Sequence, residues 1–287
     1  MKTAKTIAEL IELLESRSLI FADERKAENF LLQNNYYRLS GYWRRYQTCP
    51  DKGDNGFADG TSFEKVVGIY RLDASLRNYL QNGLGVFEIC FRSKFAYYMA
   101  HSEANGQFLY LHQSSYGNKV SKNEKPDDLL TSIKKELNRS KEKCVIHYKR
   151  KNEDIPIWAA VEVLSFGTVS KMYSRWTNKE VIKKVSQSFS LFKSYESTIH
   201  IIRSLVNLRN LCAHQARIWN RELIFQVASK TYLQKFGVSK ERSQWRIISI
   251  LMLLVDGINQ NNEYSRDILK LCRQEEEFYA GLTSPTL

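Results

Sequence analysis

The chain has 287 residues, enough for one large domain or two small ones, and 43% of them are hydrophobic, as in a folded protein. Its net charge of +12 at pH 7 favours a polyanionic partner, most commonly nucleic acid, although a generally basic protein without such a partner has the same composition. The five cysteines form no C-x-x-C pair, which excludes the usual zinc pattern and a disulfide framework.

The sequence also indicates the cellular compartment. The N-terminal stretch carries acids where a secretory signal needs an apolar run, and the most hydrophobic stretch, residues 247–258, is too short to span a bilayer. We therefore expect a protein of the reducing cytoplasm with no membrane segment, and we interpret 247–258 as a core helix.

Capping patterns divide the N-terminal part into helices with one hairpin. Residues 40–41 predict a break, the turn residues of 51–60 predict a short hairpin near 47–62, and Gly83 with Gly85 predict a kink or break in the long run after residue 61. The predicted helix starts are two capping boxes, Thr6 with Glu9 and Thr61 with Glu64, and an N-cap at Asp23.

The rest of the chain is also predicted to be mainly helical. Residues 101–125 look irregular, and 127–151 form a highly charged helical segment, for which a solvated surface is favoured over a phosphate-facing one. Pro156 opens a helix whose Trp158 and Phe166 we assign to the core, Asn178 precedes another, and 195–212 is followed by two more. Because few segments alternate with period two, the predicted fold class is all-α, with an N-terminal helical segment (1–60) packed on a helical domain (61–287).

The segment "RNLCAHQARIWNRE", residues 209–222, raises the functional question. On a helical wheel an apolar seam packs against other helices, and a polar stripe on the opposite side contains no carboxylate. Such a stripe suits a phosphate backbone, and Arg221 is a further candidate for binding RNA. The seam consists of Ile201, Leu205, Leu208 and Cys212, and the stripe of Arg203, Asn207, Asn210, His214 and Arg217.

Arg209 lies outside this stripe, at the edge of the buried face, where a cation needs a partner. Glu88 and Arg92 are four residues apart on one helix face, and Glu88 could supply that partner. The alternative is that Glu88 and Arg92 form a local salt bridge and that Arg209 is a structural tie between helices.

Asn210 and His214 are also four residues apart, so the amide could orient the imidazole. A histidine can move protons in both directions and a guanidinium can stabilise a phosphorane dianion, which are the minimum parts for cleaving RNA without a metal. The 2′-hydroxyl would attack the adjacent phosphorus, leaving a 2′,3′-cyclic phosphate and a 5′-hydroxyl. By spacing alone the pattern is weak, because a histidine at a helix end is usually a cap.

Other motifs allow two interpretations. In "NNYYRLSGYW", Tyr37 could stack on a base and Arg38 could hold phosphate, but core packing of the aromatic cluster is favoured. No group of histidines, cysteines and acids has metal-ligand spacing, so neither a metal nor a cofactor is expected.

The motifs together resemble a known family. "RNLCAHQARIWNRE" is similar to the Arg-polar-x-x-x-His signature of HEPN domains, and "EICFR" resembles their acid-x3-base element, with Arg92 where Lys is more usual. With "LLQNNYYRLSGYWRRY" and "IPIWAAVEVLSFGTVSKMY", the chain resembles the Abi family of phage abortive-infection proteins, of the AbiD/AbiF type, over roughly residues 22–223.

This resemblance implies a HEPN-type helical bundle, usually dimeric, that acts as a metal-independent endoribonuclease toxin in phage defence. It implies that Arg209, Asn210 and His214 are catalytic, with Glu88 and Arg92 as supports, and that a structured noncoding RNA acts as antitoxin. Two alternatives stay open: a non-catalytic HEPN protein that holds RNA with the same face, and a structural regulator in which the motif joins helices.

Overall fold

Helices dominate the computed structural model, which describes residues 3–117, 128–189, 194–224 and 231–286 and confirms the all-α prediction. Two short strands, β1 (Gln47–Cys49) and β2 (Asp54–Phe57), pair antiparallel within these ranges. The helices are α1 (Ile7–Glu15), α2 (Glu24–Gln33), α3 (Tyr36–Trp43), α4 (Phe63–Ala100), α5 (Asp128–Arg139), α6 (Lys143–Arg150), α7 (Ile157–Val163), α8 (Phe166–Arg175), α9 (Lys179–Gln187), α10 (Tyr195–Ala213), α11 (Gln244–Asn259), α12 (Glu263–Cys272) and α13 (Glu276–Thr283).

Most predicted helix starts are confirmed. Thr6 forms the full capping box with Glu9, and the Asp23 carboxylate accepts from the Lys26 amide. The second predicted capping box, Thr61 with Glu64, is wrong. Ser62 caps α4, whereas the buried Thr61 hydroxyl donates to the Ala58 carbonyl, 2.6 Å away, in the preceding turn.

The predicted break at residues 40–41 is wrong, because α3 runs through it. The chain breaks one turn earlier, at Asn35, which has φ +26° and whose side chain accepts from the Tyr37 amide. Gly41 has a different use: a β-carbon there would lie 3.0 Å from Nε of Arg217, so the glycine lets that side chain cross the helix closely.

The central element is α4, whose 38 residues span roughly 57 Å. It contacts α3, α7, α9, α10, α11 and α12, so apolar residues are needed on several of its faces. Phe87, Phe91 and Phe95 follow one another at four-residue spacing, with ring centroids 5.9 and 6.1 Å apart, and all three are fully buried.

A break at Gly83 or Gly85 is not found, because α4 passes both residues without interruption. Gly83 is instead a packing residue. A β-carbon at this position would lie 2.0 Å from the Tyr264 hydroxyl oxygen of α12, so the glycine makes room for that ring. Gly85 has nothing within 4 Å of its β-carbon position.

The central part of the chain bears out some predictions and corrects others. The charged segment forms α5 and α6, and Pro156 precedes α7. Between 101 and 117 the chain contains short 3₁₀ turns, and the rest of the predicted irregular segment lies outside the described residues. Phe166 is buried as expected, but Trp158 is 52% exposed, so its assignment to the core was wrong.

Among the described residues after α10 there are three α-helices where two were predicted. The first of them, α11, is the expected core helix, with most of its side chains buried. Within the part of the chain that the structure describes, no helix combines the length and the apolar character needed to cross a membrane.

The two glycines of α4 give a matched stability test. Gly83→Ala should lower the free energy of unfolding by about 1–3 kcal/mol, because the methyl group would overlap the Tyr264 ring. Gly85→Ala, two residues away in open space, should leave it unchanged or raise it by up to about 1 kcal/mol. Urea denaturation of both variants measures the difference. Equal destabilisation by the two alanines would contradict this account of Gly83.

Candidate active site

The helix that carries the motif, α10, is anchored by its apolar seam. Ile201, Leu205, Leu208 and Cys212 are all buried, as their spacing predicted. Burial raises the pKa of the Cys212 thiol to about 12, with the Asp73 carboxylate adding to the shift. This thiol therefore stays protonated and acts as a small apolar side chain.

The opposite side of α10 carries the polar stripe. Arg203 and Asn207 are half-buried, whereas Asn210 and His214 are exposed at the C-terminal end. None of the four is a carboxylate, so this surface offers amides, a guanidinium and an imidazole to an anion. Arg217 is not part of the stripe, because α10 ends at Ala213 and the helical periodicity does not continue to residue 217.

A Schellman motif ends α10 and places His214 at its C-cap. The Ala216 amide donates to the Leu211 carbonyl (2.8 Å) and the Gln215 amide donates to the Cys212 carbonyl (3.0 Å), the pair of hydrogen bonds that defines this motif. Gln215 takes the left-handed conformation, with φ +53°. Glycine is the usual residue there, so the glutamine needs support from its surroundings.

Two arginines provide that support. Nη1 of Arg38, on α3, donates to the Gln215 carbonyl at 2.6 Å, and Nε of Arg77, on α4, donates to its side-chain oxygen at 3.2 Å. The glutamine is therefore held through both its backbone and its side chain. These contacts fix the residue that follows His214.

The chain after Gln215 is held by a buried carboxylate. Asp73, on α4, accepts from the backbone amides of Ile218 (3.3 Å) and Trp219 (3.0 Å), from the Tyr42 hydroxyl (2.5 Å) and from Arg77. Its side chain is fully buried. Burial raises the pKa of Asp73, while Arg77, Tyr42 and the two amides act in the opposite direction.

Arg217 and Arg221 belong to this loop rather than to an RNA-facing helix. Nη1 of Arg217 donates to the carbonyls of Trp219 (2.9 Å) and Asn220 (2.8 Å), and desolvation lowers the pKa of its guanidinium. Nη1 of Arg221 lies 3.5 Å from the Arg217 carbonyl. Arg217 therefore ties together the loop after α10, a role that the sequence did not indicate.

Glu88 contacts both Arg209 and Arg92, so the partner expected for Arg209 and the local salt bridge of the alternative are both present. Its carboxylate accepts from Arg92 and lies 3.8 Å from Nε of Arg209. Arg92 also donates to the Val161 carbonyl of α7 at 2.5 Å. The Arg209 side chain keeps 40% of its surface exposed, against 14% for Glu88 and for Arg92. One acid between two guanidinium groups leaves an excess positive charge beside α10.

The expected contact between Asn210 and His214 is made only by the backbone. The His214 amide donates to the Asn210 carbonyl at 3.0 Å, as in a regular helix turn. Their side chains form no hydrogen bond within the described ranges, so the amide does not orient the imidazole here. Both side chains remain exposed to a ligand.

The aromatic motif near the start packs, for the most part, as favoured. Tyr42 and Trp43 are buried, and Tyr42 reaches the Asp73 carboxylate. Arg38 uses one of its nitrogens on Gln215. Tyr37 is different: it is 73% exposed, with its ring edge-on to Tyr36. The motif therefore supports the loop after α10, and it exposes one ring.

The sequence interpretation missed Asp73, Arg77 and Gln215. One signal was available, because Asp73-x3-Arg77 repeats on α4 the acid-x3-base spacing of Glu88 and Arg92. Nothing local marks Gln215 as left-handed. Where the structure describes the chain, no three histidines, cysteines or acids come together as metal ligands could.

Comparison with known proteins gives one match. A family model described as Abi-like protein matches residues 29–220. No curated protein and no solved structure matches the chain. The matched segment contains both α4 acid–base pairs, α10 and its terminating loop, and it ends at Asn220, just after the amides that Asp73 holds.

Proposed function

This chain belongs to the Abi-like protein family, whose members are associated with abortive-infection defence against phage, and we propose that it is an endoribonuclease toxin of the HEPN type. One arrangement carries this proposal. Arg209 is held by Glu88 at the C-terminal end of α10, where Asn210 and His214 are exposed. The proposed substrate is RNA in the cytoplasm, and a structured noncoding RNA is the proposed antitoxin.

The proposed reaction uses the RNA's own nucleophile. An imidazole of His214 accepts the proton of the 2′-hydroxyl as that oxygen attacks the adjacent phosphorus. The Arg209 guanidinium stabilises the charge that develops on the phosphorane oxygens. An imidazolium then donates a proton to the departing 5′-oxygen, and the products are a 2′,3′-cyclic phosphate and a 5′-hydroxyl. Every step is accounted for by side chains, so neither a metal nor a cofactor enters the proposal.

We propose that two chains form one site. Arg209 and His214 are five residues apart, so on a helix they point about 140° away from each other. One chain therefore brings both groups to one phosphate only with difficulty. A two-fold axis beside the ends of two α10 helices would surround the RNA with two histidines and two arginines. Ile89, next to Glu88 and 71% exposed, supplies apolar surface for such a contact.

A rival proposal is a protein that holds RNA on this face without cleaving it. It is favoured by the missing side-chain contact between Asn210 and His214, since the described part of the chain leaves the imidazole without an orienting group. Cleavage experiments separate the two proposals.

His214→Ala should abolish RNA cleavage and cellular toxicity while leaving folding and RNA affinity nearly intact, because the exposed imidazole is needed only for proton transfer. His200→Ala is the matched control, since His200 is another exposed histidine of α10 and should be dispensable. The measurement is cleavage of cellular RNA by purified protein in the presence of EDTA, with analysis of the product ends. We expect 2′,3′-cyclic phosphate and 5′-hydroxyl ends.

Three results would count against this assignment. Products with 5′-phosphates, or activity abolished by the chelator, would indicate metal-dependent hydrolysis. Loss of folding in His214→Ala, seen by circular dichroism, would make the imidazole a structural cap. Normal RNA binding without any cleavage by the unaltered protein would support the rival proposal.

The dimer proposal predicts that specific activity falls on dilution. Ile89→Asp should shift the protein towards monomer and lower activity at a given concentration, because a charge would enter the apolar contact. Leu32→Asp is the matched control, with 73% exposure on α2 compared with 71% for Ile89. Analytical ultracentrifugation beside a cleavage assay measures both effects. A stable monomer with undiminished specific activity would show that one chain completes the site.

A further inference from the structure

The two helices α5 and α6 carry a large share of the protein's charge. Between residues 134 and 151 there are eight bases and two acids, half of the net charge of +12. Leu129, Ile133 and Leu137 fix α5 to the core, which leaves the charged face outside. The bases are Lys134, Lys135, Arg139, Lys141, Lys143, Lys149, Arg150 and Lys151.

One base and one acid of this segment make hydrogen bonds within the protein. Nζ of Lys149 donates to the Leu137 carbonyl at 2.6 Å, which closes the turn between α5 and α6. Glu136 points the other way and accepts from the Ser165 amide (2.6 Å) and the Thr168 hydroxyl (2.8 Å), which caps α8. The seven remaining bases are all exposed, and the other acid of the segment, Glu142, lies among them.

This pattern differs from an ordinary solvated helix of the same protein. On α12, bases alternate with acids, and Arg266 lies 3.7 Å from Asp267. On α9, Lys183 pairs with Glu180 at 2.7 Å. The seven exposed bases of α5 and α6 form no ion pair with any described carboxylate. Lys135 and Arg139 even stand four residues apart, a spacing at which like charges destabilise a helix.

The basic surface borders a cleft between the α5–α6 turn and α7. The cleft has a volume of about 690 Å³. The α5–α6 segment lines it with Arg139, Lys141, Glu136 and Glu142, and α7 lines it with Glu162 and Val163. The residue before Glu162 is Val161, whose carbonyl accepts from Arg92. The short helix α7 therefore contributes Glu162 to the cleft and, one residue earlier, a carbonyl that accepts from Arg92.

We propose that the exposed bases of α5 and α6 form a second RNA site that binds the phosphodiester backbone away from the cleaved bond. The ligand is RNA because residues 134–151 offer seven exposed bases against one exposed acid, Glu142, and such an excess suits a run of phosphates and gives sequence-independent contacts. The site deepens the proposed ribonuclease function, on which it rests. It raises affinity for RNA and takes no part in the chemistry.

The test compares two sets of four lysine- or arginine-to-glutamine changes that remove equal charge. Both are made in the His214→Ala background, so that the RNA stays intact, and binding of a labelled hairpin RNA is measured over a salt series. The site set is Lys134→Gln, Lys135→Gln, Lys141→Gln and Lys143→Gln. The control set, from helices with mixed charges, is Arg25→Gln, Lys26→Gln, Arg266→Gln and Lys270→Gln.

The site set should weaken binding about tenfold or more and lower the slope of log affinity against log salt by about three units. The control set should stay within about twofold. With His214 restored, the site set should raise KM and leave the single-turnover rate at saturating RNA unchanged. RNA binding is measured independently of cleavage. Failure of the ribonuclease proposal can therefore be distinguished from failure of the second-site proposal.

An equal loss of RNA affinity in the two sets would overturn the proposal, because the effect would then depend only on the overall charge of the protein. Unchanged RNA affinity in the site set would also overturn it. A parallel assay with phosphatidylserine-containing vesicles covers another anionic ligand. Loss of vesicle binding by the site set, with RNA binding retained, would assign the surface to a lipid headgroup instead. Circular dichroism of both sets confirms that they are folded.

Discussion

Two carboxylates on one helix hold the whole candidate site in place. Asp73 and Glu88 lie 15 residues apart on α4, roughly 22 Å along its axis. Glu88 forms an ion pair with Arg209 of α10, and Asp73 accepts a hydrogen bond from the backbone that follows the end of α10. Each acid also has its own arginine one helix turn further on. The catalytic assignment therefore depends on α4 as much as on the helix that carries the motif.

The buried group around Asp73 is better explained by geometry than by stability. Removing a buried ion pair in favour of apolar side chains is often neutral or stabilising. Here the pair of Asp73 and Arg77 satisfies two backbone amides and the side chain of a left-handed glutamine, contacts that apolar residues could not make. The network thereby fixes where α10 stops and which residue stands at its end. That residue is His214.

Local signals predicted much of the fold and one long-range contact. Capping residues locate several helix starts, and four-residue spacing pairs Glu88 with Arg92, because both are properties of a single helix. The position of Arg209 at the edge of the buried face indicated that it needs an acid, and Glu88 was the candidate. The errors share a cause. Arg217 was assigned by extending a helix whose end depends on Gln215, and Gln215 is held by residues from α3 and α4. Trp158 looked like a core residue because exposure depends on neighbours that no local pattern reveals.

The central claim is that Glu88 acts on RNA cleavage by positioning Arg209, and a double-mutant cycle tests it most directly. Single-turnover cleavage rates are measured for Glu88→Gln, Arg209→Ala and the double variant, with folding checked in each. We predict that Glu88→Gln slows cleavage in the unaltered background and has almost no further effect when Arg209 is alanine, a coupling of about 1–3 kcal/mol. An equal slowing by Glu88→Gln in both backgrounds would contradict the account, since Glu88 would then act independently of Arg209.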